Sequence, residues 1–169
     1  MANDEISSSD SRKSAEPAKL DAMDRKLLRK LQAEPHLTMA ELAERIGLSH
    51  TPCWRRVKRL EDAGIILRRP LILDPVALGY PVNVLAFIKI KNHESKVLEA
   101  FEHEVLAHPE IVACYTMSGE SDYVLRVMAR SIEDYETYLK RILLHLPGVG
   151  SINSSFAMKQ IKQTTDVPI

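Results

Sequence analysis

Apolar residues in the first third of the chain recur at helical spacing in three short runs. The runs are Leu20, Met23, Leu27, Leu28 and Leu31; Leu42, Ala43 and Ile46; and Cys53, Val57 and Leu60. Spacings of three and four residues put the members of each run on one face of a helix. The pattern therefore predicts three short helices that pack their apolar faces together.

Polar residues and a glycine mark the ends of these helices. Asp21 and Ser49 are typical N-caps, and Thr38 with Glu41 forms the sequence pattern of a capping box. Gly47 stands where the C-terminus of a helix often needs a left-handed residue. The tight turn from Gly47 to Ser49 joins the second and third helices, and such a turn is typical of a helix-turn-helix.

The third helix carries polar and basic residues opposite its apolar stripe. This outer face and its flanks contain Thr51, Trp54, Arg55, Arg56, Lys58 and Arg59. Such a helix fits the major groove of DNA, where Arg and Lys side chains bond to base edges. A solvated basic helix on a bundle has the same pattern, so the face alone leaves both interpretations open. The capped helix and the tight turn before it favour groove binding.

Two short apolar runs follow the third helix. Residues 65–67 and 71–73 are β-like and flank Arg68, Arg69 and Pro70. They predict a hairpin, or wing, beside the helix-turn-helix. Residues 74–79 begin with Asp-Pro and end with Gly, which predicts one helical turn within a linker.

The rest of the chain alternates between strand and helix patterns. Strands are predicted at residues 82–91, 111–118, 122–129 and 149–162, and helices at 94–108 and 132–146. The inward-facing residues predicted for the last helix are Ile132, Tyr135, Leu139, Ile142 and Leu146. The order βαββαβ is the ferredoxin-like arrangement, whose helices cover one face of the sheet.

These elements predict an α+β chain with two domains. A winged helix-turn-helix domain is expected at residues 19–69, a linker at 70–80, and a ferredoxin-like domain at 81–162. Residues 1–18 have one large apolar side chain, Ile6, so we expect a disordered tail there. Residues 163–169 are expected to form a C-terminal tail.

The predicted sheet has apolar residues on both faces. Leu85 and Phe87 lie on the side of the first strand that the helices do not cover. A second copy of the domain is the simplest cover for such a face. The alternative is that the two side chains are scattered exposed residues.

Charge is unevenly distributed in this neutral chain. Of the 169 residues, 45% are apolar and 27% are charged, and the net charge is zero. Residues 19–69 carry a net charge of +5, whereas residues 1–18 carry −2 and residues 70–169 carry −3. The basic segment favours a polyanionic partner, although a solvated basic face has the same composition.

Enzymatic and membrane functions find little support in the sequence. The chain has no transmembrane run, no phosphate-binding glycine loop and no histidine spacing typical of a metal site. Cys53 and Cys114 lie in apolar stripes and are expected to be core residues. We therefore expect a cytoplasmic protein that is not an enzyme and holds neither metal nor cofactor.

Motifs in both domains resemble one family, the Lrp/AsnC transcriptional regulators. The first motif runs from Leu48 to Glu61, with Asp21 and Asp24 upstream, and the others are residues 118–123 and 146–149. The resemblance implies a DNA-binding winged helix and a regulatory domain that binds an amino acid. It also implies homodimers that pair through their sheets and assemble into tetramers or octamers.

Two sets of site residues follow. The residues expected to contact double-stranded DNA are Ser49, His50, Thr51, Trp54, Arg55, Arg56, Lys58, Arg59, Arg68 and Arg69. By resemblance, the residues expected to contact the effector are Ser118, Gly119, Glu120, Asp122, Tyr123, Ser155, Phe156 and Ala157.

Three roles stay open at this stage. Arg56 either contacts phosphate or pairs with an acidic group of its own chain. Asp122 either accepts hydrogen bonds from the ammonium group of an effector or only closes its turn. The chain is expected to be a sequence-specific regulator, and the alternative is an amino-acid-binding or architectural protein without an effector switch.

Overall fold

Residues 19–69 and 71–169 are described by a computed structural model, in which they form two units. The first unit contains the described residues up to Leu71 together with residues 164–169, and the second spans Ile72–Gln163. The disordered tail predicted for residues 1–18 lies outside the described residues.

Three helices build the first unit, as the apolar pattern predicts. They are α1 (Ala22–Ala33), α2 (Met39–Ile46) and α3 (His50–Asp62). Their shared core contains Leu27, Leu28, Leu31, Leu37, Leu42, Ala43, Ile46, Cys53, Val57 and Leu60. The three predicted apolar stripes therefore meet in one cluster.

Most of the predicted helix ends are confirmed. The Asp21 side chain caps α1 by accepting a hydrogen bond from the Asp24 N–H, and Thr38 and Glu41 form a capping box at α2. Gly47 ends α2 with a φ of 78°, a left-handed value that a side chain would strain. The predicted Ser49 cap is wrong in one respect, because its side chain makes no capping hydrogen bond. Its backbone is extended, so α3 still begins directly after it.

The predicted wing is wrong for the described residues, since neither 65–67 nor 71–73 lies in a strand. The backbone N–H groups of Ile65 and Ile66 instead bond to the Leu60 carbonyl at the end of α3. Both side chains pack partly against the helical core. These residues therefore extend the end of α3, because the carbonyl groups of its last turn need donors.

A four-stranded antiparallel sheet with two helices forms the second unit. Its elements are β1 (Val82–Ile90), α4 (Ser95–Leu106), β2 (Ile111–Thr116), β3 (Tyr123–Ala129), α5 (Ile132–Arg141) and β4 (Val149–Phe156). The strand order is β2-β3-β1-β4. This confirms the βαββαβ prediction, and one helical turn at residues 74–79 precedes β1, also as predicted.

Two predicted elements are shorter than expected. Helix α5 ends at Arg141 and is followed by a 3-10 turn at Leu143–His145, and β4 ends at Phe156. Ile132 is 60% exposed, so its predicted inward position is wrong. It is the first residue of α5, and the helix first buries a side chain one turn later, at Tyr135.

The helices pack on one face of the sheet, where alternate residues of the two central strands are buried. The core residues from β1 and β3 are Val84, Ala86, Ile88, Ile90, Tyr123, Leu125, Val127 and Ala129. The opposite face of the sheet, defined by Leu85, Phe87, Val124 and Met128, is named the open face here. None of the described helices is long and apolar enough to cross a membrane.

Candidate nucleic-acid interface and regulatory turn

The outer face of α3 is exposed over its whole length. Trp54 is 50% exposed, and Thr51, Arg55 and Lys58 are exposed beside it. The opposite side of the helix is the buried apolar stripe, so the side-chain packing of the core fixes which residues face outward. Such a face is able to enter a DNA groove without disturbing the core.

Three of the four cations on α3 are held by carboxylates. Lys58 Nζ lies 2.9 Å from Asp62 Oδ1 on the same helix. Arg56 Nη1 contacts Asp21 at 2.6 Å and Asp24 at 2.8 Å. Within the described part of the chain, Arg55 has no ion-pair partner, so its guanidinium is available to a ligand.

Arg59 is the third cation of this group. Its Nη2 atom lies 2.5 Å from Asp24 Oδ2, while its side chain is 56% exposed. Arg59 and Arg56 therefore converge on one carboxylate at the start of α1. Arg56 is thus paired with acidic groups of its own chain, and its contact with phosphate stays a prediction.

Asp24 is fully buried although it is charged. Burial raises the pKa of its carboxyl group, but hydrogen bonds from Arg56, the Asp21 N–H and Arg59 outweigh this effect. The net pKa of Asp24 is lowered, so the group is an anion at neutral pH. Asp24 is not among the site residues expected from the sequence, although two acidic residues three positions apart at a helix start were a usable signal.

A shallow, open depression lies between the start of α1 and the first three turns of α3. Its lining residues are Asp21, Thr51, Pro52, Arg55, Arg56 and Arg59. Arginine side chains with free N–H donors bind phosphate oxygens, so the depression has groups that are suited to binding a phosphate. The other residues expected to contact DNA, Ser49, His50, Arg68 and Arg69, are all exposed.

The turn between β2 and β3 carries the first group of expected effector residues. Ser118, Gly119 and Glu120 are exposed at its tip. The carboxylate of Asp122 accepts a hydrogen bond from the Ile90 N–H at 2.7 Å and lies 2.8 Å from His93 Nε2. The hydrogen bond from Ile90, followed by that from His93, lowers the pKa of Asp122. Asp122 thus fixes the turn to the end of β1, and its partner His93 is not among the site residues expected from the sequence.

Tyr123 faces the helices and not the solvent. It is 3% exposed, and its hydroxyl donates a hydrogen bond to Glu102 Oε1 at 2.7 Å. Burial and this carboxylate together raise the pKa of Tyr123 far above its usual range. Tyr123 is therefore part of the core beneath the turn.

The last three expected effector residues lie at the other end of the sheet. Tyr123 pairs with Ile88 near the end of β1, whereas Phe156 pairs with Val84 near its start. A residue advances about 3.3 Å along a strand, so four residues separate these points by roughly 13 Å. One chain therefore does not bring residues 118–122 and 155–157 into one pocket.

Both halves of the chain match known protein-family models. Residues 20–66 match a winged helix-turn-helix DNA-binding model, and residues 83–167 match the Lrp/AsnC ligand binding domain. The DNA-binding transcriptional activator DecR of Escherichia coli K12 is 41% identical over 150 residues, which are 89% of this chain and 99% of DecR. The leucine-responsive regulatory protein of Haemophilus influenzae is 37% identical over 86% of this chain and 87% of its own.

Solved structures show the same architecture. An AsnC family transcriptional regulator from Agrobacterium tumefaciens has a TM-score of 0.84 at 42% identity, covering 88% of this chain and 97% of its own. A transcriptional regulator from Neisseria meningitidis, solved in complex with L-methionine, has a TM-score of 0.85 at 35% identity, with coverage of 89% and 97%.

Proposed function

The chain belongs to the Lrp/AsnC family of DNA-binding transcriptional regulators, and we propose that the outer face of α3 reads its DNA sites. The observation that carries the proposal is the exposed face of α3, with Arg55 and Trp54 free to enter a groove. In this proposal Thr51, Trp54, Arg55 and Lys58 contact base edges.

The remaining basic and polar residues bind phosphates or position the helix. The residues proposed to contact the DNA backbone are Ser49, His50, Arg56, Arg59, Arg68 and Arg69. Phosphate contacts supply affinity and register, whereas base contacts supply sequence preference. Substitutions in the two groups should therefore have different effects on specificity and on salt dependence.

The test is selection of bound duplexes from a random-sequence pool by the full chain. A shared motif among the selected duplexes is the expected result, and its Kd should be lower than that of a scrambled duplex by a factor of about 10³ or more. Equal affinity for selected and scrambled duplexes would contradict the proposal.

The proposed assembly is a dimer, or a tetramer or octamer built from dimers, that pairs through the open face. Leu85 is 39% exposed there, next to the half-buried Phe87, Val124 and Met128. A two-fold dimer binds a pseudo-palindromic site whose half-sites are one or more helical turns apart. The selected motif should show this symmetry.

The proposed effector is an amino acid bound between chains at the regulatory turn. The relative from Neisseria meningitidis binds L-methionine, and the exposed backbone around Gly119 suits a carboxylate, because glycine lets a ligand approach closely. Since the turn and residues 155–157 lie at opposite ends of one sheet, a pocket that uses both needs a second chain.

Isothermal titration calorimetry of the full chain with each of the twenty amino acids tests this proposal. Saturable heat with at least one of them is expected, together with a change in DNA affinity. The change in DNA affinity is required because a ligand that binds two states of the protein equally well does not shift the equilibrium between them.

A second candidate function is that of a DNA-binding architectural protein without an effector switch. It is favoured by one observation, that both oxygens of Asp122 already have partners in the chain. Absence of heat with all twenty amino acids would support this alternative. Neither candidate involves catalysis, and both place the protein with the DNA, in the cytoplasm.

A further inference from the structure

We propose that Asp24 is a positioning residue for DNA recognition. It holds the guanidinium groups of Arg56 and Arg59 beside the outer face of α3, so that they bind phosphates in one fixed direction. It also limits their contribution to binding of unrelated sequences. The inference rests on the proposed function of α3 and adds a residue of α1 that touches no DNA.

The geometry around the carboxylate supports a positioning role. Asp24 lies in the first turn of α1 and has no exposed surface. Its Oδ1 atom accepts a hydrogen bond from Arg56 at 2.8 Å, and its Oδ2 atom accepts one from Arg59 at 2.5 Å. The Asp21 N–H also donates to Oδ2, at 3.2 Å. The buried carboxylate therefore fixes two successive turns of α3 to the start of α1.

Arg59 keeps free donors while it is held. A guanidinium has five N–H donors in one plane, and Asp24 accepts a hydrogen bond from one of the two donors on Nη2. More than half of the side chain stays exposed, at the edge of the depression that Thr51 and Arg55 also line. A side chain that is already oriented loses less entropy when it binds a phosphate.

The same contacts reduce the free positive charge on α3. Asp21 and Asp24 lie within hydrogen-bond distance of Arg56, and Asp24 lies within that distance of Arg59. A mobile, unpaired guanidinium binds the phosphates of any duplex by releasing counterions. Two arginines held by carboxylates add less to this sequence-independent affinity. The ratio of specific to unrelated affinity is therefore higher with Asp24 than without it.

The decisive variant is Asp24→Asn in the full chain, which keeps the shape of the side chain and removes its charge. Glu34→Gln is the matched control, because Glu34 pairs with Lys30 and Arg45 in the same unit and its substitution changes the net charge equally. The Kd values for a selected duplex and a scrambled duplex are measured by fluorescence anisotropy over a series of KCl concentrations.

Asp24→Asn should lower the ratio of the two affinities about tenfold. For the scrambled duplex, the slope of log affinity against log salt should steepen by about one unit for each arginine released. Glu34→Gln should leave both quantities near their wild-type values. A merely structural role would reduce both affinities by one factor and leave the ratio unchanged, and that result would overturn the proposal. An equal fall in the ratio with Glu34→Gln would overturn it as well.

Arg59→Gln provides a second test, and its salt slope by itself does not depend on the folding of Asp24→Asn. Arg59 is half exposed, and its loss should make the salt slope for the selected duplex shallower by about one unit. In the Arg59→Gln background, Asp24→Asn should have a smaller effect on the affinity ratio. An unchanged salt slope in Arg59→Gln, or additive effects of the two substitutions, would refute the proposal.

Different results would refute the proposed function and the role of Asp24. A wild-type chain without sequence preference would refute the proposed function and the role of Asp24 together. A wild-type preference that Asp24→Asn leaves intact would refute the role of Asp24 alone.

Discussion

Arg55 differs from the other cations of α3 because no carboxylate of the described residues pairs with it. Lys58, Arg56 and Arg59 each have a partner within 3 Å. A paired cation must give up its ion pair to bind DNA, and the free energy lost in this way offsets part of the free energy of the new contact. Arg55 therefore forms new hydrogen bonds with a base at the lowest cost among the four.

Arg55→Ala should lose about 1–3 kcal/mol of discrimination between the selected duplex and single-base variants of it, because a bidentate contact with guanine has this value. Lys58→Ala, whose side chain is paired with Asp62, should lose less. Competition binding with a set of variant duplexes measures both losses. Equal losses for the two variants would contradict the role given to Arg55.

Asp122 links the regulatory turn to β1, and the link depends on its charge. The pKa of Asp122 is lowered by the Ile90 N–H and then by His93. A carboxyl group whose pKa is lower in the folded state stabilises the fold above its unfolded pKa, near 3.9. The stabilisation is lost as the pH falls through the folded value.

Asp122→Ala should therefore lower the Tm at pH 7, and the difference from wild type should narrow as the pH falls below about 4. Thermal unfolding followed by circular dichroism gives both values. Glu120→Ala, an exposed change in the same turn, is the control and should leave Tm nearly unchanged. A difference for Asp122→Ala that is constant over this pH range would show that its charge is not involved.

The helices of the DNA-binding unit begin in two different ways. Helix α2 has a complete capping box, in which Glu41 accepts a hydrogen bond from the Thr38 N–H at 2.8 Å. Helix α3 begins after Ser49 without a hydrogen bond from that side chain. Packing of its buried stripe holds α3 on the core instead, and the ion pairs of Asp24 with Arg56 and Arg59 hold its later turns.

Thr38→Ala and Ser49→Ala should thus have unequal effects on stability. Loss of the Thr38 cap should lower the free energy of unfolding by about 1 kcal/mol. Ser49→Ala should change the free energy of unfolding by only a few tenths of the change expected for Thr38→Ala, because no side-chain hydrogen bond is lost. Urea denaturation measures both. A loss of about 1 kcal/mol with Ser49→Ala would mean that its hydroxyl does cap α3.

The second unit buries one face of its sheet and leaves the other without cover from its own helices. Alternate residues of β1 have no exposed surface at Val84, Ala86 and Ile88, whereas Leu85, between them, is 39% exposed. Leu85 is opposite Arg126 and Ser155, and the cross-strand pair Phe87 and Val124 extends the apolar area beside it. Burying such a surface against a second copy is favourable at about 25 cal/mol per Å² of apolar area.

Charges placed on the open face should separate the assembly. The double variant Leu85→Glu/Phe87→Glu in the full chain should have the mass of a single chain in light scattering at micromolar concentration. Ile132→Glu is the control, because Ile132 is also an exposed apolar residue but lies on α5. It should keep the wild-type mass. A double variant that also keeps this mass would show that the open face does not hold the dimer.

Hydrophobic periodicity, with the cap and turn residues, predicted the helices and the four strands of the sheet in their order, whereas the hairpin predicted from residues 65–67 and 71–73 is wrong for the described residues. The stripe Cys53, Val57 and Leu60 is buried as its spacing requires, and so is the alternating set in β1. Such patterns can be recognised in the sequence because the periods of 3.6 and 2 residues decide which side chains share a face of one helix or strand. The identity of the element that packs against this face does not need to be known. The exposed outer face of α3 follows from the same argument, and so does the family resemblance, which rests on short local motifs.

The tertiary structure decided what depends on contacts between distant residues. It placed Asp24, 32 residues before Arg56, under two arginines that the sequence had assigned to DNA. It also turned Ile65 and Ile66 back onto α3 in place of a hairpin, and put Tyr123 beneath the regulatory turn. Periodicity carries no information about such partners, because the free energy of a buried ion pair or hydrogen bond depends on which groups the fold brings together.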